Sequence, residues 1–237
     1  MHVEELGPLT VRIAGGTNRE GAGDGPAVVL LHGFGAPGDD LASLHRVLRA
    51  PPGTRWVFPE APLSLASLGM PGGRAWWMID IARFQQARSP EEVESRMAEV
   101  PSGLAAAREA VIAMLDALDA KLHPSKVVLG GFSQGAMLAI DVALRTERPL
   151  AGLVAMSGAL IAASEWKALA PKRAGVPVVQ SHGTRDAILP FMAGERLRDV
   201  LKGAGLSHTW VQFGGGHEIP GQVVDAVGSF LETRLVA

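Results

Sequence analysis

The chain has 237 residues, with 22 Lys and Arg against 24 Asp and Glu, so its formal net charge is −2. Hydrophobic residues make up 47% and charged residues 19%, which excludes intrinsic disorder for the chain as a whole. The near-neutral balance gives no general electrostatic reason to bind nucleic acid or anionic lipid. Cysteine is absent. This excludes disulfides, thiolate metal sites and a cysteine nucleophile, so serine is the first candidate for covalent catalysis.

Short apolar segments alternate with longer helical patterns. The middle short segments are apolar throughout, which is typical of parallel strands buried on both faces. The alternation predicts an α/β protein with a mostly parallel central sheet flanked by helices, forming one domain over residues 1–237. The predicted strands are 27–31, 55–58, 126–130, 152–156, 176–180 and 208–213, with 9–13 as an antiparallel edge, and the predicted helices are 41–49, 102–122, 134–145, 192–202 and 222–235.

Residues 59–101 interrupt this alternation with about forty residues of weak regularity. A segment of that length inside a compact domain is usually functional, so we expect it to form a lid or a pocket wall. It contains Met70, Trp76, Trp77 and Met78, which are the candidate substrate-binding residues because aromatic and methionine side chains suit an alkyl chain. The alternative is that this segment packs a small apolar cluster of its own.

The candidate nucleophile is Ser133, in the G-x-S-x-G sequence Gly-Phe-Ser-Gln-Gly at 131–135. The motif follows an apolar strand pattern and opens a helical one, as expected for a sharp strand-to-helix turn that exposes a serine at the carboxyl edge of a sheet. The helix N-terminus there would favour developing negative charge. The alternative is that Ser133 only caps the helix.

A serine hydroxyl needs a neighbouring base, and in α/β-hydrolases the chain order is Ser, acid, His. Asp186 follows the penultimate predicted strand, and His217 lies in a loop between the last strand and the last helix. Ser133, Asp186 and His217 are therefore the predicted catalytic triad. Two other histidines follow Ser133. His208 is expected to be structural, and in the loop that contains His182 the better catalytic candidate is Asp186.

The predicted oxyanion donors are the backbone N–H of Gln134, directly after the nucleophile, and that of Phe34, in an early loop after a strand. The same early loop, Gly33 to Gly38, also matches G-x-G-x-x-G, so an NAD-binding oxidoreductase is an alternative. Pro37 and the acidic pair at 39–40 argue against that alternative, because the pair would place negative charge where a pyrophosphate should bind.

The motifs LHGFG, GRAWW, GGFSQGA, HGTRD and GGGHEIP together resemble the serine carboxylesterase/phospholipase family, which includes acyl-protein thioesterases and lysophospholipase-like esterases. The resemblance begins near residue 26 and covers nearly all of the chain from there. It implies an α/β-hydrolase fold without a large cap domain, no cofactor or metal ion, and the same triad and oxyanion residues. Where family members carry a Trp-aromatic-Asp cluster, this chain reads Trp-Trp-Met-Ile-Asp at 76–80.

We therefore expect a serine hydrolase that cleaves small-molecule carboxylic esters, with short to medium acyl chains, through an acyl-serine intermediate. An acyl-thioesterase or a lysophospholipase using the same triad is an alternative, and a non-catalytic hydrolase-like binding protein is a more remote one. Neither a basic-then-apolar signal pattern nor a membrane-length apolar run is visible, which predicts a cytoplasmic protein without stable membrane insertion. The oligomeric state stays open, with a homodimer as one alternative.

Overall fold

The computed structural model describes residues 1–80 and 89–236. The strands found there are β1 (His2–Leu6), β2 (Leu9–Gly15), β3 (Ala27–Leu31), β4 (Arg55–Pro59), β5 (Leu63–Ser64), β6 (Arg74–Ala75), β7 (Val127–Phe132), β8 (Gly152–Met156), β9 (Pro177–Gly183) and β10 (Ser207–Phe213). The α-helices are α1 (Pro90–Ala98), α2 (Leu104–Leu122), α3 (Gln134–Arg145), α4 (Ala163–Leu169), α5 (Phe191–Gly203) and α6 (Gly221–Leu235). Three short 3₁₀ helices span Asp40–Arg46, Ala66–Leu68 and Ala170–Arg173.

Eight of the strands form one sheet in the order β1-β2-β4-β3-β7-β8-β9-β10. Neighbours from β4 to β10 are parallel, whereas β2 is antiparallel to both β4 and β1. The expected mostly parallel α/β architecture is therefore confirmed. The antiparallel strand predicted at 9–13 is present, but the edge of the sheet is β1, which the sequence did not predict.

Both faces of the sheet are covered, and β3 illustrates how. All five of its residues are buried, but alternate side chains point to opposite faces. Ala27, Val29 and Leu31 join the core formed with helices α1 to α5, while Val28 and Leu30 join the core formed with α6 and the first 3₁₀ helix. This two-sided burial explains why the central strands are apolar throughout.

Several helical segments differ from expectation. The segment predicted as a helix at 41–49 is the 3₁₀ helix Asp40–Arg46, in which the Val47 N–H bonds the Leu44 carbonyl at 3.1 Å. Its sequence lies between Pro37-Gly38 and Pro51-Pro52, and such short connectors commonly adopt i→i+3 bonding. Helices α1 and α4 were not predicted.

The segment 59–101 is more regular than expected. It contains the β5–β6 hairpin, a 3₁₀ turn and helix α1, while its residues 81–88 lie outside the described part. Among the described residues no large cap domain covers the carboxyl edge of the sheet, and no helix there is long and apolar enough to cross a membrane. The single-domain organisation, with 59–101 as a lid or pocket wall, stays a prediction.

Candidate active site

Ser133 lies in the sharp turn between β7 and α3, with a backbone φ of 54° and ψ of −118°. Non-glycine residues rarely adopt a positive φ, and such strain persists where the surrounding structure imposes it. The turn is tight because a Cβ at Gly131 or at Gly135 would overlap the carbonyl oxygen of Leu31, in the neighbouring strand β3. The two glycines of the motif thus allow β7 and α3 to approach β3 closely enough to form the turn.

Asp186 and His217 meet at the same edge, because the loops that carry them follow the adjacent parallel strands β9 and β10. His217 Nδ1 lies 2.7 Å from Asp186 Oδ2. Since an ionised carboxylate only accepts hydrogen bonds, Nδ1 carries the proton and Nε2 has a free lone pair. The His217 ring also packs against Phe132, the residue before Ser133, with 4.7 Å between the ring centroids. Among the described residues no hydrogen bond joins Ser133 Oγ to His217, as is common before substrate binds.

The Asp186 carboxylate is held from two sides. Its Oδ1 accepts the backbone N–H groups of Ile188 and Leu189, each at 2.9 Å, which leaves Oδ2 for His217. Burial acts to raise the pKa of Asp186. The hydrogen bond and charge interaction with His217 and the two N–H donors outweigh it, so the pKa lies below its ordinary value. Asp186 is therefore ionised at neutral pH and fixed in orientation.

His182 lies beside the same carboxylate and is fully buried. Its Nε2 is 3.0 Å from the Leu189 carbonyl oxygen and 3.4 Å from Asp186 Oδ2, so this nitrogen is the protonated donor. Burial lowers the pKa of His182, which favours a neutral ring. His182 thus supports the loop that carries Asp186. His208, in β10, makes a hydrogen bond to Gln180 at 2.8 Å, and among the described residues it makes none to Ser133 or Asp186.

The early loop after β3 is organised by His32, which is buried. His32 Nε2 accepts the backbone N–H of Ala61 at 3.1 Å, so its Nδ1 is protonated and donates to the Gly33 carbonyl at 2.8 Å. Burial lowers the pKa of His32, consistent with a neutral structural role. Within residues 1–80 and 89–236, the backbone N–H groups of Phe34 and Gln134 donate to no other backbone group, so both can donate to a ligand.

A cavity of about 260 Å³ lies beside α3 and the Asp186 loop, and its lining is mainly apolar but includes Asp80, Arg96 and Glu99. Met137 of α3, one turn after Ser133, lines it together with Leu189, Trp77 and Met78. The other two residues predicted to bind substrate do not line this cavity. Trp76 is buried, and Met70, which is 39% exposed, contacts the early loop near Gly35.

The structure also bears on the dinucleotide alternative for the early loop. The space that a Cβ at Gly38 would fill is taken by the Glu60 side chain, which is ion-paired with Arg12 and Arg74. The loop leads into a short 3₁₀ helix whose first turn carries Asp40, rather than into an α-helix N-terminus. A pyrophosphate would meet carboxylates at this place. Among the described residues, no group of three or more His, Asp or Glu side chains could hold a metal ion.

A sharp serine turn, an Asp–His pair on later loops and a mostly parallel sheet define the α/β-hydrolase class of proteins. The chain belongs to the phospholipase/carboxylesterase family, whose model matches residues 20–235. It is 30% identical over 216 residues to a probable carboxylesterase of Oryza sativa subsp. japonica, covering 89% of this chain and 78% of that protein. It is 28% identical over 177 residues to acyl-protein thioesterase 1 of Cryptococcus neoformans, covering 73% of this chain and 71% of that protein.

Solved structures agree with this assignment. The crystal structure of esterase PE8 is 29% identical and superimposes with a TM-score of 0.79 over 96% of this chain and 99% of that chain. Arabidopsis thaliana SOBER1, at 24% identity and a TM-score of 0.73, shares the fold over 89% of this chain and 99% of that chain. The protein is a hydrolase of the esterase/acyl-protein thioesterase type within the α/β-hydrolase superfamily.

Proposed function

We propose that the protein hydrolyses carboxylic esters through an acyl-Ser133 intermediate, with His217 as the general base and Asp186 as the residue that orients it. The observation that carries this proposal is the 2.7 Å contact between Asp186 Oδ2 and His217 Nδ1. It sets the imidazole tautomer whose Nε2 can accept a proton. The strained backbone of Ser133, which follows the Phe132 ring packed against His217, supports the assignment of that serine as the nucleophile.

In the first step His217 Nε2 takes the Ser133 hydroxyl proton as Oγ attacks the ester carbonyl. The proposed donors to the resulting oxyanion are the N–H groups of Phe34 and Gln134, and losing one such donor typically costs about 100–1,000-fold in rate. The protonated His217 then donates to the leaving alcohol as the carbon–oxygen bond breaks. Water, activated by the same nitrogen, releases the acid and regenerates the serine.

The proposed substrates are esters with short to medium acyl chains. The cavity of about 260 Å³ beside Met137 supports this size range, since it lies just below the roughly 300–1,000 Å³ of pockets for drug-sized ligands. Its Trp77 and Met78 walls suit an alkyl chain. The net charge of −2 supports a small-molecule partner rather than nucleic acid. A cytoplasmic location stays a prediction.

A second candidate function is thioester hydrolysis by the same residues. It is favoured by the similarity to acyl-protein thioesterase 1 of Cryptococcus neoformans. Both reactions pass through an acyl-serine and a tetrahedral oxyanion, so they differ in leaving group rather than in machinery. A panel of oxygen esters and thioesters with matched acyl chains, from two to twelve carbons, distinguishes the two candidates by their kcat/KM values.

The decisive experiment is labelling with a fluorophosphonate probe, followed by peptide mapping. We expect one label, on Ser133, and none on Ser133→Ala, which should also lose turnover of an activated ester such as p-nitrophenyl butyrate. Thr146→Ala, a hydroxyl removed at the far end of α3, is the matched control and should keep both properties. Undiminished turnover by Ser133→Ala would refute Ser133 as the nucleophile. A native protein that neither takes the label nor turns over ester would refute the proposal and favour a non-catalytic binding protein.

A further inference from the structure

The side chain of Gln134 has a structural role that the G-x-S-x-G motif does not require. It is completely buried, and its amide makes two hydrogen bonds to a backbone segment 57 and 58 residues away. Oε1 accepts the backbone N–H of Trp76 at 3.0 Å, and Nε2 donates to the backbone carbonyl of Trp77 at 2.8 Å. The amide thus pairs with residues 76–77 as a neighbouring strand would, and ties them to the start of α3.

Trp76 continues this connection in the other direction. Its indole Nε1 donates to the backbone carbonyl of His32 at 2.9 Å, and its ring packs against the His32 imidazole at a centroid distance of 5.5 Å. Arg74, two residues before Trp76, makes two backbone hydrogen bonds to the same loop. Its carbonyl accepts the N–H of Gly35 at 2.8 Å, and its N–H donates to the carbonyl of Ala36 at 3.1 Å. Residues 74–77 therefore contact both the early loop and the start of α3.

The early loop and the start of α3 carry the two proposed oxyanion donors, Phe34 N–H and Gln134 N–H. The strands that precede these donors, β3 and β7, are paired only as far as Leu31 and Gly131, so side-chain bridges beyond the paired residues can set the separation of the donors. We propose that the Gln134 amide and the Trp76 indole are positioning residues that fix the separation of the two oxyanion donors. This inference rests on the proposed function.

The physical reason is the narrow geometry of an oxyanion site. Donors must lie about 2.7–3.1 Å from the oxygen that becomes charged, and a displacement of about 1 Å can cost roughly 100-fold in rate. Because Trp76 binds Gln134 through its backbone and His32 through its side chain, loss of either bond removes one of the contacts that fix the early loop relative to α3. The ground-state ester would still enter the cavity, since the acyl-lining side chains Trp77 and Met137 are unchanged. The expected signature is thus a fall in kcat at nearly constant KM.

The first variant is Trp76→Phe, which removes the indole donor and keeps an aromatic ring. Its matched control is Trp166→Phe, since Trp166 in α4 is equally buried and its Nε1 donates to Asp141 at 2.8 Å, outside the proposed site. Both substitutions should lower the thermal midpoint by similar amounts. We expect kcat for p-nitrophenyl butyrate to fall about 10- to 100-fold in Trp76→Phe, with KM within threefold, and to change less than twofold in Trp166→Phe.

The second test uses Gln134→Glu and a pH profile. An ionised glutamate can accept from Trp76 but cannot donate to Trp77, whereas the protonated form can do both. We expect the ratio of the kcat of Gln134→Glu to the wild-type kcat, measured at each pH, to rise as the pH falls from 8 to 6. Dividing by the wild-type kcat removes the titration that is common to both proteins, and a side chain that served only to fill space would give a flat ratio.

The outcomes separate this inference from the proposed function. A wild-type protein that labels at Ser133 and turns over ester, combined with a kcat within threefold of wild type in Trp76→Phe, overturns the positioning role alone. So does an equal loss of kcat in the Trp166→Phe control, or a flat pH ratio for Gln134→Glu. Failure of the wild-type protein both to label and to turn over ester overturns the proposed function instead. If Trp76→Phe does not fold, the Gln134→Glu profile decides.

Discussion

Replacing Asp186 with Asn changes one atom group at the centre of the proposed site. The Asn oxygen should remain on the N–H groups of Ile188 and Leu189, which donate to Oδ1 at 2.9 Å and have no other acceptor in the part of the chain that the structure describes. The amide NH₂ then takes the place of Oδ2, 2.7 Å from His217 Nδ1. An NH₂ group donates, so Nδ1 must offer its lone pair and the ring proton moves to Nε2. The base is left in the tautomer that cannot accept the Ser133 proton.

The size of the effect follows from this tautomer change. A wrong tautomer in a Ser-His-Asp triad costs about 10⁴ in kcat, or about 5 kcal/mol of barrier at roughly 1.4 kcal/mol per tenfold. A flipped Asn could restore the tautomer, but its NH₂ would then face the two backbone N–H groups. Leaving those donors buried and unpaired costs about 1–3 kcal/mol each, so the flip offers little recovery.

The assay is steady-state hydrolysis of p-nitrophenyl butyrate at pH 8, with the folded fraction checked by circular dichroism and thermal melting. The matched control is Asp225→Asn, which makes the same change in net charge at a side chain that is 75% exposed. We expect kcat to fall about 10⁴-fold in Asp186→Asn and to stay within twofold in the control. A folded Asp186→Asn that loses less than about tenfold would refute the tautomer argument and remove Asp186 from the triad.

Two further predictions concern stability. In helix α5, a Cβ at Gly194 would overlap the His182 ring, whereas a Cβ at Gly203 meets nothing within 4 Å. We expect Gly194→Ala to lower the free energy of unfolding in urea by about 1–3 kcal/mol and to reduce kcat through the Asp186 loop, and Gly203→Ala to be neutral or stabilising. Equal effects of the two substitutions would contradict this packing. Burial, aided by nearby cations, lowers the pKa of His208 to about 4 from an ordinary value of 6.5. Its neutral native form therefore contributes stability that is present above pH 6.5 and is lost as the pH falls toward 4. His208→Gln should flatten the dependence of the urea midpoint on pH between pH 7 and pH 5. An unchanged slope would refute the lowered pKa of His208.

The chain order of the triad residues could be predicted because it depends on local patterns. Strand, turn and helix signals place Ser133, Asp186 and His217 after three strands of one parallel sheet, and parallel strands end at the same edge. The glycines of the motif were predictable for a similar reason, because a turn this tight excludes a Cβ. The roles of these residues in catalysis remain the proposal that the labelling experiment tests.

Helix α1 was not predicted, although the sequence contains a signal for it. Ser89 accepts the backbone N–H of Glu92, and the Glu92 side chain accepts the backbone N–H of Ser89, which is the reciprocal capping box of a helix start. The surrounding sequence has too few apolar residues for a clear helical stripe, so the cap was the stronger signal. Strand β1 had a weaker signal, since of its five residues only Leu6 is buried and the strand pairs with β2 only after the turn at Gly7.

Contacts between segments distant in sequence could not be predicted from one chain. Gln134 has one visible reason to follow the nucleophile, namely its backbone N–H, which any residue but proline would supply. That its amide would pair with residues 76–77 depends on how the long segment after β4 returns to the sheet edge. The same holds for Glu60, whose ion pairs with Arg12 and Arg74 are made across three elements.

The two neighbouring tryptophans of the segment after β4, Trp76 and Trp77, make different contacts. Trp76 directs its indole to the carbonyl of His32, while Trp77 lines the cavity and gives only its backbone carbonyl to Gln134. Substrate size can therefore change through the Trp77 side chain without altering the bridge, because a backbone carbonyl is common to all residues. A change at Trp76 has no such freedom, because the Phe, Leu and Met side chains that could replace its bulk have no donor for His32. The cavity wall at Trp77 and the proposed bridge from Trp76 to the early loop are thus adjacent in sequence and can be tested separately.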